Sequence, residues 1–198
     1  MKSQYRKKQT IAFLFTLFFI SSISAQIFKA GLLGGINFSQ LDGDHLIGFN
    51  QPGFYLGTQV YTILSDRWEI ATGLAFSQEG ARRSLNDNPA SIFDRIRLNY
   101  IELPFYLCLN EWKFKIYAGP VYGRLINYKV LDYLGTDISD LQNWRNNQVS
   151  GSIGVGFIPN GKWGFDFRWS KNVINLRKDP GASGMLGRNV SFRIFYSI

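Results

Sequence analysis

The sequence divides into eight runs in which bulky apolar residues alternate with small or polar ones, and this pattern restricts the chain to a β fold. A period of two places successive side chains on opposite faces of a strand, whereas a helix needs a period near 3.6. In the clearest run, one face carries Trp68, Ile70 and Leu74, and the other carries Glu69 and Gly73. The predicted strands are residues 29–38, 53–64, 68–79, 97–109, 113–124, 149–157, 163–170 and 189–198.

The connections between these runs alternate in length. Residues 65–67, 110–112 and 158–162 are tight turns, whereas residues 39–52, 80–96, 125–148 and 171–188 are long and polar. All the turns therefore lie at one end of the sheet and the four loops at the other, which is typical of outer-membrane barrels with short periplasmic turns. In the fourth run, Pro104 lacks an amide donor, so we expect a bulge or a local break of the ladder there.

The composition of the two faces distinguishes a membrane barrel from a soluble one. One face holds nearly all the bulky apolar residues, including the row Trp163, Phe165, Phe167 and Trp169. The narrow interior of an eight-stranded barrel could not hold such rows, and in water they would form one large exposed apolar patch. The other face mixes Gly, Ala and Ser with single charges, which suits a crowded polar lumen. The sequence therefore predicts that the apolar face contacts lipid and that the first and last strands pair to close the sheet.

The first 25 residues have the composition of a secretory signal peptide. A basic segment without acids precedes the apolar residues 11–20, and the small residues 21–25 follow, although they include Ile23. We expect cleavage after Ala25, with cleavage after Ser24 as the alternative. A retained anchor helix is less favoured, because the apolar stretch is shorter than the roughly 20 residues that span a bilayer.

The predicted organisation is thus a signal peptide at residues 1–25 and one barrel domain at residues 26–198, all-β, with eight antiparallel transmembrane strands, short periplasmic turns and four long outer loops. We expect this domain in the cell outer membrane. Four of the basic residues behind the formal charge of +8 lie in the signal peptide, so the remaining charge is about +4. Its basic residues are scattered along an exported chain, so nucleic acid is not an expected partner.

Several segments carry a resemblance to a known family. They are Gly-Gly-Ile-Asn-Phe-Ser at 34–39, Gly-Phe at 48–49, Gly-Phe-Tyr-Leu-Gly at 53–57, Phe-Ser-Gln-Glu-Gly at 76–80, Leu-Asn-Tyr-Ile-Glu-Leu-Pro at 98–104 and Tyr-Ala-Gly-Pro at 117–120. Together they resemble the PorT-like outer-membrane barrels of Bacteroidetes over essentially the whole mature chain. The resemblance implies the barrel, and more weakly a link to type IX secretion.

Catalytic and metal chemistry have little support in the sequence. The single histidine, His45, lies in the first long loop beside Asp42 and Asp44. A solvated loop residue explains it better than a catalytic base, and two carboxylates fall short of the six to eight oxygens that calcium takes. With one cysteine, Cys108, a disulfide within the chain is excluded. We therefore expect a protein that is not an enzyme and has no cofactor.

Charges on the small-residue face and aromatic residues in the loops are the remaining candidates. Glu69 and Glu102 are expected to pair with Arg168 and Arg193 across the lumen, because neither sign tolerates burial alone. We favour a plug over an ion path for this set. In the longest loop, residue types common at binding hot spots are Tyr128, Tyr133, Trp144 and Arg145, with packing over the barrel mouth as the alternative.

Two functions therefore stay open from the sequence. The first is a structural or interaction component of the cell envelope or of a secretion complex, and the second is a narrow channel or small-ligand-binding barrel. Expected partners are outer-membrane lipid and the barrel-insertion machinery, since the final run with Tyr196 and Ile198 is similar to the C-terminal strand signal of such barrels.

Overall fold

The computed structural model of the chain describes residues 28–84, 87, 91–178 and 184–198. In this part of the chain, eight antiparallel strands form a closed barrel in which each strand pairs with its sequence neighbours and β1 pairs with β8. The strands are β1 (Phe28–Asp42), β2 (Gln51–Ile63), β3 (Trp68–Arg82), β4 (Phe93–Glu111), β5 (Phe114–Asp132), β6 (Asn147–Phe157), β7 (Trp163–Asn172) and β8 (Leu186–Ser197), with a 3-10 helix at Ser139–Leu141. The eight-stranded all-β prediction is confirmed.

The signal-peptide prediction for residues 1–25, and the domain boundary after it, lie outside the described residues. Among the residues that are described, no helix has the length and apolar character needed to cross a bilayer.

The two ends of the barrel differ as the connection lengths predicted. We call the end with the tight turns the turn end and the opposite end the loop end. At the turn end, Ile198 N donates to Ala30 O at 2.8 Å, which helps to close β1 onto β8. At the loop end, most strands continue beyond the predicted limits, and β5 runs to Asp132 instead of residue 124. The long connections are consequently shorter than predicted.

The outward and inward faces have the predicted composition through the middle of the barrel. Outward side chains are apolar and exposed, as with Phe54 at 69% and Phe165 at 60% exposed. Inward side chains include buried charges and tyrosines between glycines. At Gly154 a β-carbon would lie 2.2 Å from the ring of Tyr117, so only glycine leaves room for that tyrosine in the lumen.

Near the loop end the polarity of the two faces is reversed. In β4, the inward residues Ile96, Leu98 and Tyr100 are fully buried, while the alternating Arg95 and Arg97 point outward. This part of the barrel therefore packs like a soluble protein around an apolar centre. We call that centre the apolar plug; its buried members are Leu41, Leu46, Ala81, Phe93, Ile96, Leu98, Tyr100, Val130, Trp144, Leu176 and Met185.

At Pro104 the structure shows a local break without a bulge. The pairing of β3 with β4 is interrupted between Thr72–Phe105 and Ala75–Glu102, and the register is the same on both sides. The irregularities in the pairing of β4 with β5 lie instead between Asn99 and Tyr100 and near the start of β4. A missing donor thus opens the ladder here without inserting a residue.

Candidate functional site

The lumen is occupied by charged and tyrosine side chains in successive groups, beginning at the turn end. There, Glu69 accepts a hydrogen bond from Lys115 Nζ at 2.7 Å and lies 3.5 Å from Lys29 Nζ. The Lys115 ammonium also lies 3.7 Å from the centre of the Tyr61 ring, close enough for a cation–π interaction. The half-exposed Lys29 marks where this group meets solvent.

The second group is centred on Arg193 and Asp166, which are paired across β7 and β8. Arg193 donates through Nε and Nη2 to Oδ1 of Asp166 at 2.6 and 2.5 Å. Tyr117 accepts from Arg193 Nη2 at 2.6 Å and donates to the same carboxylate at 3.0 Å. Each polar group therefore has a partner that offsets part of its desolvation.

The third group pairs Arg168 with Glu102, and both are almost completely buried. Arg168 Nη1 donates to Glu102 Oε2 at 2.9 Å and to the hydroxyl of Tyr106 at 3.3 Å. The centre of the Tyr55 ring lies 4.7 Å from this guanidinium and 4.8 Å from that of Arg193. Tyr55 thus provides an aromatic ring that attracts both cations.

The last polar group lies below the apolar plug. Glu79 accepts hydrogen bonds from Ser77 Oγ at 3.2 Å and from Asn189 Nδ2 at 3.0 Å. Asn37 extends the network by donating to Ser77 Oγ at 3.0 Å. From the Arg193–Asp166 group to the plug, the lumen is therefore filled by interlocked side chains, whereas at the turn end a cavity of about 550 Å³ is lined by Lys29, Glu69 and Lys115.

The predicted lumen residues all lie inside the barrel, but their pairing differs in part. Arg168 is paired with Glu102, as the sequence analysis allowed. Glu69 is paired with Lys115 and Lys29, and Arg193 with Asp166, so a Glu69–Arg193 pair is not formed. The reason is register, which places Asp166 directly opposite Arg193 on the neighbouring strand.

The four loop candidates divide between the plug and the surface. Tyr128 is a strand residue of β5, not a loop residue, and its hydroxyl donates to Gln142 O at 3.1 Å. Trp144 is 3% exposed within the plug, so it is not available to a partner. Tyr133 is exposed, and the exposed Arg145 donates from Nε to Arg177 O at 3.3 Å. Packing over the barrel mouth therefore explains Tyr128 and Trp144.

An exposed apolar surface at the tip of the loop end was not found from the sequence. Tyr133 N donates to Ile92 O at 3.1 Å, which places these two residues side by side in neighbouring connections. Ile92, Tyr133 and Leu134 are 55%, 64% and 73% exposed. We call these three residues the loop-tip patch. Only the tertiary structure joins them, because they lie about 40 residues apart in the sequence.

The first connection holds a buried carboxylate that the sequence analysis considered only for calcium. Asp44 Oδ1 accepts from Leu46 N at 2.9 Å, while Oδ2 is buried and has no hydrogen-bond partner among the described residues. Burial, with Asp87 and Asp42 nearby, raises the pKa of Asp44 to about 7. The described residues contain no group of three or more histidines, cysteines and carboxylates placed to hold a metal ion.

Comparison with known proteins agrees with this architecture. A family described as outer membrane protein beta-barrel domain matches residues 24–177. No curated protein matches the sequence. Among solved structures, a crystal structure of Ail, the attachment invasion locus protein of Yersinia pestis, is similar with a TM-score of 0.53 and 14% identity, covering 86% of this chain and 98% of that one. A second structure of Ail, in complex with the heparin analogue sucrose octasulfate, is similar with a TM-score of 0.51 and 12% identity, covering 86% of this chain and 99% of that one. At these identities the likeness concerns the fold alone.

Proposed function

The chain belongs to the outer membrane protein beta-barrel domain family, and on that premise we propose that it is a closed, non-enzymatic barrel serving as a structural or interaction component of the cell envelope. Its eight strands carry an outward apolar face of the kind that lipid requires. Its place is the outer membrane, and the proposal concerns what it does there.

The observation that carries the proposal is the double closure of the lumen. Buried ion pairs fill the middle of the barrel, as with Arg168 and Glu102 at 2.9 Å, and the apolar plug covers them at the loop end. An ion following this path would have to displace paired charges and then pass an apolar centre, each at high desolvation cost. A narrow channel, one form of the alternative from the sequence, therefore gains no support from the lumen.

Conductance in planar bilayers tests the closed barrel. Purified protein, first shown to be folded by its heat-modifiable mobility on gels, should give no stable current steps in molar KCl, because its lumen is filled. A porin inserted under the same conditions provides the positive control. Reproducible open-channel steps from the wild-type barrel contradict the proposal.

The loop-tip patch is the surface through which we propose that the barrel contacts another envelope protein. Its three apolar side chains are exposed in the connections at the loop end, outside the strand segments that carry the outward apolar band. Exposed apolar residues clustered at such a position are typical of protein contacts. Tyr133 adds a residue type that is frequent among binding hot spots.

Site-specific photo-cross-linking in cells tests this contact. A photoreactive residue at Leu134 should give a defined cross-linked protein, whereas the same residue at Trp112, which is 82% exposed at the turn end, should not give that product. Identical products from both positions, or none from Leu134, contradict a partner at the loop tip.

The narrowest form of the proposal is membership of the PorT-like group and a partner in type IX secretion. It rests on the sequence segments quoted above, such as residues 98–104. Mass spectrometry of the Leu134 cross-link tests it, since a type IX component supports it and an unrelated envelope protein removes the secretion link while leaving an interaction role.

A further inference from the structure

The outward face of the barrel carries three cross-strand pairs of like charge at the loop end. Residues directly opposite one another on neighbouring strands are Arg82 with Arg95, Arg97 with Lys129, and Lys171 with Arg188. Like charges in this position are destabilising unless an anion compensates them. We call these six residues the basic belt.

The belt lies directly beyond the apolar band that faces lipid. In β7, Lys171 is the next outward residue after Trp169, and in β8, Arg188 is the next after Val190. In β4, outward Arg97 is separated from outward Ile101 only by Asn99. The cations therefore lie at the height of lipid headgroups rather than at the loop tips.

Compensation of these charges within the described part of the chain is incomplete. Arg188 pairs with Asp42 at 2.7 Å, and the exposed Lys129 lies 3.8 Å from Asp137. Asp94 lines a surface depression beside Arg82, but no ion pair is formed by Arg82, Arg95 or Arg97 among the described residues. Donor groups thus remain for an external anion.

The interface at the turn end is built differently. Its outward and exposed side chains include Trp68, Trp112 and Trp163, and the Trp163 ring lies 4.7 Å from that of Tyr196. Such aromatic residues suit the ordinary boundary between headgroups and hydrocarbon. The turn-end cations Arg67, Lys113 and Lys162 lie in the turns, and among the described residues they form no like-charged pair across neighbouring strands.

We propose that the basic belt binds the phosphate groups of an anionic, phosphate-bearing glycolipid in the leaflet on the loop side. Arginine forms planar, bidentate hydrogen bonds with phosphate oxygens, and cations near an anionic surface gain affinity from each charge. A phosphate placed between the strands would neutralise the like-charged pairs that the protein leaves uncompensated. A lipid is favoured over a soluble polyanion because the belt adjoins the hydrocarbon-facing band.

Native mass spectrometry of the full barrel in zwitterionic detergent tests the proposal with two charge-matched variants. The belt variant is Arg95→Gln, Arg97→Gln and Lys129→Gln. The control variant, at the turn end, is Arg67→Gln, Lys113→Gln and Lys162→Gln. Wild type and control should bind bisphosphorylated lipid A more tightly than its dephosphorylated form, and the belt variant should lose about a hundredfold in affinity, as three surface charges imply.

A stability measurement separates binding from misfolding. Without phosphorylated lipid, the belt variant should unfold at the same temperature as wild type or higher, because like-charge repulsion is relieved. Adding lipid A should raise the unfolding temperature of the wild type and control but not that of the belt variant. The proposal is overturned if all three proteins bind lipid A with equal affinity, or if the wild type binds the phosphorylated and dephosphorylated forms equally well. Binding of soluble heparin to the belt as tightly as lipid A also overturns it.

Discussion

Replacing Glu102 by glutamine should destabilise the barrel by about 3 kcal/mol, because it removes the carboxylate that is hydrogen-bonded to the buried Arg168. The two side chains are 2% and 1% exposed and are joined at 2.9 Å. Breaking one partner of a buried pair costs about 3–5 kcal/mol in general. The lower value applies here, since Arg168 keeps hydrogen bonds to Tyr106 and Ser191 and the ring of Tyr55 as a cation–π partner. The buried carboxyl group of Glu79, next to Glu102, also continues to attract the guanidinium.

Equilibrium unfolding in urea, followed by tryptophan fluorescence of the protein in lipid vesicles, measures this change. The chain supplies its own matched control in the exposed pair of Arg67 and Glu111 at 3.2 Å, with side chains 69% and 60% exposed. Glu111→Gln makes the same chemical change in water and should cost less than about 1 kcal/mol.

A double-mutant cycle shows whether the cost comes from the pair itself. Glu102→Gln combined with Arg168→Met should be less destabilising than the sum of the two single changes, since each single change leaves a charge unpaired. If Glu102→Gln costs no more than Glu111→Gln, or if the two changes are additive, the lumen is a hydrated, screened environment and the reasoning is wrong.

Three further predictions concern the plug, the packing of the lumen and the first loop. Trp144→Ala should cost about 3–5 kcal/mol and expose the loops to protease because it empties part of the plug, whereas Leu141→Ala, at a loop-end site where the side chain is 76% exposed, should be near neutral. Gly154→Ala should destabilise the barrel by about 1–3 kcal/mol in urea unfolding because its β-carbon meets a tyrosine ring at 2.2 Å, while Gly151→Ala on the same strand meets no atom within 4 Å and should be tolerated. Burial raises the pKa of Asp44 from 3.8 to about 7 in the closed loop. Between these two pH values the closed loop keeps a proton that the open loop releases, so loop closure should weaken as the pH rises from 3.8 to about 7. Protection factors from hydrogen exchange of residues 43–50 at about pH 5 and about pH 8, which correct for base catalysis of the exchange itself, measure this change. Asp44→Asn should remove the difference in protection, and a difference that survives the substitution contradicts the assignment.

The strands in the bilayer were predictable because lipid imposes one rule on every position. Outward side chains there must be apolar, and inward ones must be small or charged. The sequence of β7 therefore shows its strand character, because Trp163, Phe165, Phe167 and Trp169 alternate with small or polar residues. Above the bilayer that rule is reversed, and Arg95 and Arg97 point outward from a strand whose inward residues are apolar. Apolar and polar residues still alternate in these strand ends, but the many polar residues give the segment the composition of a loop. The loops were predicted too long for this reason.

The sequence by itself determined the strand number, the alternation of turns and loops, and which face meets lipid, because these follow from local periodicity and from the need to satisfy backbone groups in a bilayer. Only the tertiary structure decided which charges pair, since register across the sheet sets the partner of Arg193, and which loop residues are buried, since Trp144 enters the plug by contacts distant in sequence. The basic belt belongs to the second class as well. Its cations are isolated along the chain, and they become like-charged neighbours only where adjacent strands are placed side by side.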